Sequence, residues 1–294
     1  MLRTVKQQLR TRVGQSRPRN WLVARALSRG YRRLDLSATV VAAALHRAGL
    51  AGTAPLRDKV CVEIGAGRVL TQSVVLHLLG AEKVIATDIA RIAFPSHLRT
   101  AVREADIAVT HDSLEPFEDH AALYTRLATL RQAPAFSWEN LADLGITYRA
   151  PLDLTKERIG EPFDFVFSES VLEHIPIEQI DALLTNLTAD LRPGGFMIHR
   201  IHLEDHRSFE HDPFAFFETS DYGPSEQGRF GNRLRPSTWL SLFRAIPSLD
   251  TEVLFQWTRP DARRPSVVPG ISFVDDDDLL TSNLGIIARK SAVD

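Results

Sequence analysis

The sequence predicts an α/β fold: a mainly parallel sheet of seven strands with helices on both faces. From residue 59 onward, short β-branched runs alternate with helical stretches at the spacing of successive βαβ units. The runs, such as "KVCVEI" and "FDFVFSES", are mostly apolar along their length, as expected of strands covered on both faces. At 294 residues, 44% hydrophobic and 24% charged, the chain has an ordinary globular composition and suits one large embellished domain, at most two.

Residues 1–57 read as a basic helical N-terminal arm or cap. Its strongest piece is "LSATVVAAALHRAGL" (36–50), rich in alanine and leucine and stopped near Gly49. "GTAPLRD" (52–58) is a linker, so the main domain is expected over 58–294. Its strands are "KVCVEI" (59–64), "EKVIATDI" (82–89), one within "GITYRAPLDL" (145–154), "FDFVFSES" (163–170), "GFMIHRIHL" (195–203), "DTEVLFQWT" (250–258) and "NLGIIARK" (283–290). Helices are expected over 69–80, ending at Gly80, and over 176–195, stopped by Pro193, Gly194 and Gly195. Residues 91–144 are too long for an ordinary crossover and read as an insertion. Residues 204–236 are polar and aromatic without a clear period, and read as a lid or substrate loop. Phe214, Phe216, Phe217 and Tyr222 are expected to anchor that lid. "DDDD" (275–278) reads as a solvated acidic loop.

The lone cysteine, Cys61, cannot form an internal disulfide, and a reducing cytoplasmic setting follows. No run of 18 apolar residues predicts a transmembrane helix, and no apolar segment with a cleavage site follows the basic N-terminus. Charge is uneven. Ten of the 35 Lys and Arg lie in residues 1–33, which contain no acid; the other 25 stand against 37 acids, leaving the remainder at −12. Such an arm can dock on its own acidic body or touch an anionic membrane surface, making the chain membrane-peripheral. A nucleic-acid partner is not expected, because the body is acidic and "SESV" follows strand four in place of a base-methylating N/D-P-P-Y/F motif.

"VCVEIGAGRVL" (60–70) places Glu63, Gly65, Ala66 and Gly67 at the end of the first strand. Leu70 occupies the sixth position of a G-x-G-x-x-G fingerprint, so the dinucleotide pattern fails. Glu63 would also repel a pyrophosphate, whereas it suits a cationic ligand. The stretch resembles the first motif, E/D-x-G-x-G-x-G, of class I S-adenosylmethionine-dependent methyltransferases, with Val69 in place of the third glycine. "ATDI" puts Asp88 at the end of strand two, where an acid can accept from both ribose hydroxyls. "APLDL" puts Asp153 after strand three. "FDFVFSESVLEHI", with Ser168 at the strand end, and "LRPGGFMI" resemble the later motifs. The resemblance spans residues 59–203 and is to small-molecule enzymes carrying "LEH" after strand four. It implies a Rossmann-like fold and S-adenosyl-L-methionine as cofactor. By the same resemblance, Asp153 accepts from the adenine amino group and the Leu154 amide faces the ring.

Methyl transfer is an in-line displacement at carbon, so the enzyme supplies positioning and sometimes a base. "HRIHLEDHRSFEH" holds His199, His202, His206 and His211, and "LEHI" adds Glu173 and His174. The expected base is His206, oriented by Asp205, or else His174; His199, on a strand, is expected to be structural. No metal is expected. Some relatives ligate a divalent ion through E-x-x-E-H, but Ser170 takes the first position here and Glu169 is one residue out of step. His202 and His206 straddle a strand end rather than share a helix face. "GRFGNRLRPSTW" (228–239) resembles a stretch of bacterial methyltransferases of polysaccharide and secondary-metabolite pathways. Asn232, Arg233 and Arg235 are expected there to hold an acidic group of the acceptor. The predicted activity is O-methylation of a polar small molecule or glycan intermediate. The alternatives are N-methylation of an amine, RNA modification, or a silent cofactor-binding relative.

Overall fold

The structure is a computed structural model that describes residues 33–133 and 136–292. The membrane contact expected of the basic arm falls on residues 1–32, outside the described residues, and on Arg33.

The chain enters through α1 (Leu34–Arg47), then runs β1 (Val60–Ile64), α2 (Thr71–Leu78) and β2 (Lys83–Thr87). Four helices follow: α3 (Pro95–Glu104), α4 (Ile107–Leu114), α5 (His120–Gln132) and α6 (Trp138–Asp143). Next come β3 (Ile146–Arg149), β4 (Phe163–Glu169), α7 (Ile180–Asp190) and β5 (Leu191–His202). The chain closes with α8 (Pro224–Phe230), α9 (Pro236–Arg244), β6 (Leu249–Thr258), α10 (Asp276–Leu279) and β7 (Thr281–Lys290). All seven expected strands form, each within a few residues of its expected limits.

They make one sheet in the order β3-β2-β1-β4-β5-β7-β6. Strands β1 to β5 pair in parallel, and β7 runs antiparallel to both β5 and β6. The order reverses between β1 and β4, which opens a crevice at the carboxyl edge there. Alternating side chains fill both faces. Cys61, Phe165, Phe167, Ile198 and Ile287 pack under α1, α2, α3 and α5, while Val62, Val166, Met197 and Ile286 pack under α7 and α9. Each Leu or Phe so withdrawn from water contributes about 1.5–3 kcal/mol. Burial pushes the Cys61 thiol up from its ordinary value.

The sequence boundary at residue 57 does not coincide with a packing boundary. Leu34, Ala38, Val41 and Leu45 of α1 lie in the same core cluster as β1 and β4. The start of α1 is tied to the start of α2 by a 2.8 Å bond between the Ser37 and Thr71 hydroxyls.

Residues 91–133 and 136–144 form a helical layer rather than an extended insertion loop. Leu98, Val102, Leu114, Leu123, Leu127, Leu130 and Leu141 seat it on the core. Three side chains start its helices: Asp106 accepts from Val109 N, Asp119 from Ala122 N and Ser137 from Asn140 N.

Within 204–236, Phe214, Phe216, Phe217 and Tyr222 form a satellite cluster with Leu279 and Leu280, as expected of anchors. The acidic run is not simply solvated. Asp278 is buried and accepts from the Ser237 amide and hydroxyl and from the Val274 amide, pinning the start of α9. No helix among the described residues is long and apolar enough to cross a membrane.

Candidate active site

The carboxyl edge has two flanks. On the first, β1 turns through Gly65 and Gly67 at φ of 71° and 68°, where side chains are strained. A Cβ on Gly65 would stand 2.4 Å from Val171 Cγ2, so the loop needs glycine for space as well. The Ala66 amide donates to Thr87 O and the Gly67 amide to Asp88 Oδ2, at 2.9 Å each. Ala90 N donates to the other Asp88 oxygen at 3.0 Å. Glu63 is fully buried and accepts from the Ser73 hydroxyl of α2. Glu63, Gly65, Ala66, Gly67 and Asp88 are thus brought together. Burial raises the Asp88 carboxyl above its ordinary value, against the two amide bonds and the Arg68 charge.

Tyr148 falls in none of the sequence motifs, yet it borders this flank. Its hydroxyl receives the Ile92 amide at 3.2 Å and donates to Ala90 O at 3.0 Å. Its ring stacks on Trp138, and Arg91 lies over it. Tyr148 therefore fixes the loop after Asp88 and leaves Ile89 70% exposed beside the acid. The available signal was an aromatic residue at the end of a strand bordering the crevice.

Three residues expected on this flank make contacts within the protein itself. The amide and hydroxyl of Thr155 donate to Asp153 Oδ1, and Lys156 Nζ lies 2.7 Å from Oδ2, so this carboxylate closes its own turn. Burial opposes its ionisation, but Lys156 and Thr155 prevail and hold it below the usual carboxylate range. The adjacent Leu154 is buried, and its carbonyl accepts from Asn186. Ser168 is fully buried and bonded to His199 Nδ1 at 2.8 Å, and so does not line the crevice. Burial pulls His199 down to about 3, so it is a neutral core histidine, as expected.

The second flank lies after β4 and β5. "LEH" forms a single 3-10 turn, Leu172–His174. His202 ends β5, and the turn that follows returns His206 so that its Nε2 stands 3.0 Å from His202 Nδ1. His202 Nε2 meets Glu204 Oε2 at 2.7 Å, and Arg259 holds the other oxygen of Glu204 at 2.7 Å. Buried Glu173 approaches His206 Nε2 at 4.0 Å. The ligating atoms of Glu173, His202 and His206 all lie within 4.8 Å of one another. The strand end and turn therefore supply a convergence that sequence spacing did not reveal.

The ring of His174 meets that of His206 edge-on at 4.6 Å. His174 Nδ1 lies 3.1 Å from Gly228 O, which places its proton on Nδ1. Burial holds the imidazole below its ordinary value, against the Gly228 bond and with a contribution from His202.

The Asp205 carboxylate is engaged by Arg207. Both of its oxygens receive Arg207 Nε at 3.0 Å, and Oδ2 also receives Nη2 at 2.7 Å. The expected acceptor-binding residues are likewise structural. The Asn232 side chain donates to Leu172 O and Ile175 O, and its amide to Glu173 O, bracing the 3-10 turn. Arg233, at φ 65°, lies over the Tyr222 ring and donates to Phe216 O and Thr219 O. Arg235 is fully buried against Phe214 and Phe217 and donates to Asp278 O, Leu203 O and Thr281 O. Burial pulls its guanidinium down to about 9.

No protein-family model matches the sequence, and a search of curated proteins returns no match. Among solved structures, TehB from Haemophilus influenzae is similar at 13% identity and TM-score 0.40, over 79% of this chain and 57% of that one. A DhpI–SAM–HEP complex gives 14% and 0.42, over 84% of each. Magnesium protoporphyrin IX methyltransferase (ChlM) from Synechocystis PCC 6803 with bound SAH gives 15% and 0.43, over 87% and 83%. The chain spans only 51% of the pyocyanin biosynthetic protein PhzM and 50% of the CurJ carbon methyltransferase, to which it is also similar.

Proposed function

We propose that this chain transfers a methyl group from S-adenosylmethionine to a hydroxyl of a polar small molecule or glycan intermediate. The observation that carries the reading is the junction of Asp88 with the glycine loop. A buried acid, two glycines in left-handed backbone and a second acid meet where the strand order reverses. When bound, the cofactor supplies a methyl group on a sulfonium, open to in-line displacement.

The residues fit it. Glu63 and Asp88 give the crevice negative character, which suits a ligand with a sulfonium and an ammonium and no phosphate. Each Asp88 oxygen takes one backbone amide. A carboxylate has about four lone-pair sites, so acceptor capacity remains for a ribose diol. Ile89 offers an apolar surface beside it.

His174 is the better placed base. The Gly228 carbonyl holds its Nδ1 proton, leaving the Nε2 lone pair to take the acceptor's proton. His206 instead shares its Nε2 with His202. The basic segment 1–33 would bring the protein to an anionic membrane and a lipid-linked acceptor. Liposome co-sedimentation with and without that segment tests this last point, and equal partitioning would sink it.

The central test is calorimetric titration with S-adenosylmethionine. Binding by the wild type and its loss in Asp88→Ala is expected. A wild type that does not bind would break the reading. Turnover of an acceptor panel by His174→Ala follows. Full activity on an amine would transfer the assignment to N-methylation.

A further inference from the structure

We propose that Glu173, His202 and His206 form a binding site for a divalent ion of the zinc class. The three side chains come from three pieces of backbone, and their ligating atoms lie within 4.8 Å of one another. An ion bound tetrahedrally at 2.0–2.1 Å sets its ligand atoms about 3.3 Å apart. The His202–His206 separation of 3.0 Å and the His206–Glu173 separation of 4.0 Å bracket that edge. The third edge, His202 to Glu173, lies within 4.8 Å, and rotation of the side chains would close it.

The surroundings are arranged as metal sites require. A ligating imidazole must present a lone pair, and a carboxylate on its other nitrogen secures it. Glu204 does this for His202: the bond to Nε2 places the proton there and leaves the Nδ1 lone pair facing His206. Arg259 in turn holds Glu204. Backbone order fixes the ligands too. His202 pairs with Asn283 in the β5–β7 ladder, and Asn232 clamps the carbonyls of Leu172, Glu173 and Ile175. Two imidazoles and one carboxylate suit zinc or a neighbouring transition ion better than magnesium or calcium, which prefer all-oxygen shells. Three protein ligands leave a fourth position for an acceptor oxygen or water. The site adjoins His174, so an acceptor hydroxyl held there would lie close to the proposed base. That last role rests on the methyltransferase reading; ion binding does not.

The test uses the tag-free full chain, stripped with a chelator and titrated with Zn²⁺ by calorimetry and with Co²⁺ by absorption. One equivalent should bind, and Co²⁺ should give the visible bands of a four- or five-coordinate site. His206→Ala and Glu173→Gln should each weaken Zn²⁺ binding at least 100-fold, and the milder His206→Gln should weaken it too. Glu204→Gln should weaken it about 10–100-fold, the usual effect of losing an outer-shell partner. Each variant's melting curve without metal checks that it is folded. If the wild type binds no Zn²⁺, or folded His206→Ala and His206→Gln bind like the wild type, the proposal is overturned and the imidazole pair is a hydrogen-bonded contact alone. S-adenosylmethionine is titrated into the same samples. Cofactor binding without zinc binding defeats the ion only, and zinc binding without cofactor binding defeats the methyltransferase reading only.

Discussion

The two flanks of the carboxyl edge use their polar residues in opposite ways. On the β1–β2 flank, short glycine-rich backbone approaches an acid through amide donors, and Asp88 keeps oxygen lone pairs for a ligand. On the β4–β5 flank, long basic side chains turn inward. Arg207, Arg233 and Arg235 are engaged by Asp205 or by backbone carbonyls, while His202, His206 and Glu173 bring their polar atoms within 4.8 Å of one another. Irregular backbone needs partners for its carbonyls, and arginine, with five donors, supplies them: Arg233 serves Phe216 and Thr219, and Arg235 serves Leu203, Asp278 and Thr281. Charged residues in a lid are therefore weaker indicators of substrate contact than small residues at a strand end.

The sharpest test of this contrast is Arg235→Met. It leaves Leu203 O, Asp278 O and Thr281 O without their donor in a buried setting. Stability should fall by on the order of 4 kcal/mol, read by denaturant unfolding. A loss of acceptor affinity at unchanged stability would restore Arg235 to the substrate. Next in size is Gly65→Ala, which meets Val171 and a positive φ together. A cost of about 2–3 kcal/mol is expected, with cofactor affinity falling in parallel.

Tyr148→Phe removes one hydroxyl from the loop after Asp88. About 1 kcal/mol is at stake, so roughly fivefold weaker cofactor binding is expected with the fold retained. The smallest effect concerns pH. Asp153 is held below its ordinary value when folded, so its contribution to stability is present above the unfolded-state value and fades as pH falls through the folded one. Its Lys156 partner is mostly exposed, which limits the effect to under about 1 kcal/mol. Asp153→Asn should flatten that acid limb of the melting curve. An unchanged limb would mean the turn does not depend on the charge.

Strand positions were legible because burial on both faces demands unbroken apolar runs, and the first motif because Glu63, Gly65 and Gly67 lie within five residues at a strand end, with Asp88 marking the end of the next strand. The helical layer over 91–133 and 136–144 looks like an insertion in the sequence, although Asp106, Asp119 and Ser137 stand at cap positions. Its hydrophobic pattern is weakest in α5, where only Leu123, Leu127 and Leu130 are buried. The Glu173–His202–His206 convergence was not legible. It depends on a 3-10 turn after one strand meeting a reversal after the next, a long-range relation that residue spacing does not encode. Asp153 lies four residues past β3 and Ser168 near the end of β4, and Thr155, Lys156 and His199 engage them there.

The hydroxyl bond between Ser37 and Thr71 has a consequence for how the enzyme would meet its acceptor. Thr71 opens α2, four residues beyond Gly67, so the first turn of α1 sits at the threshold of the crevice. Arg33, where the strongly basic segment joins the folded body, stands one turn earlier. On the proposed membrane reading, an anionic carrier bound by that segment would act as a local increase in effective concentration at the crevice, and lengthening the chain between residue 33 and α1 would dilute it.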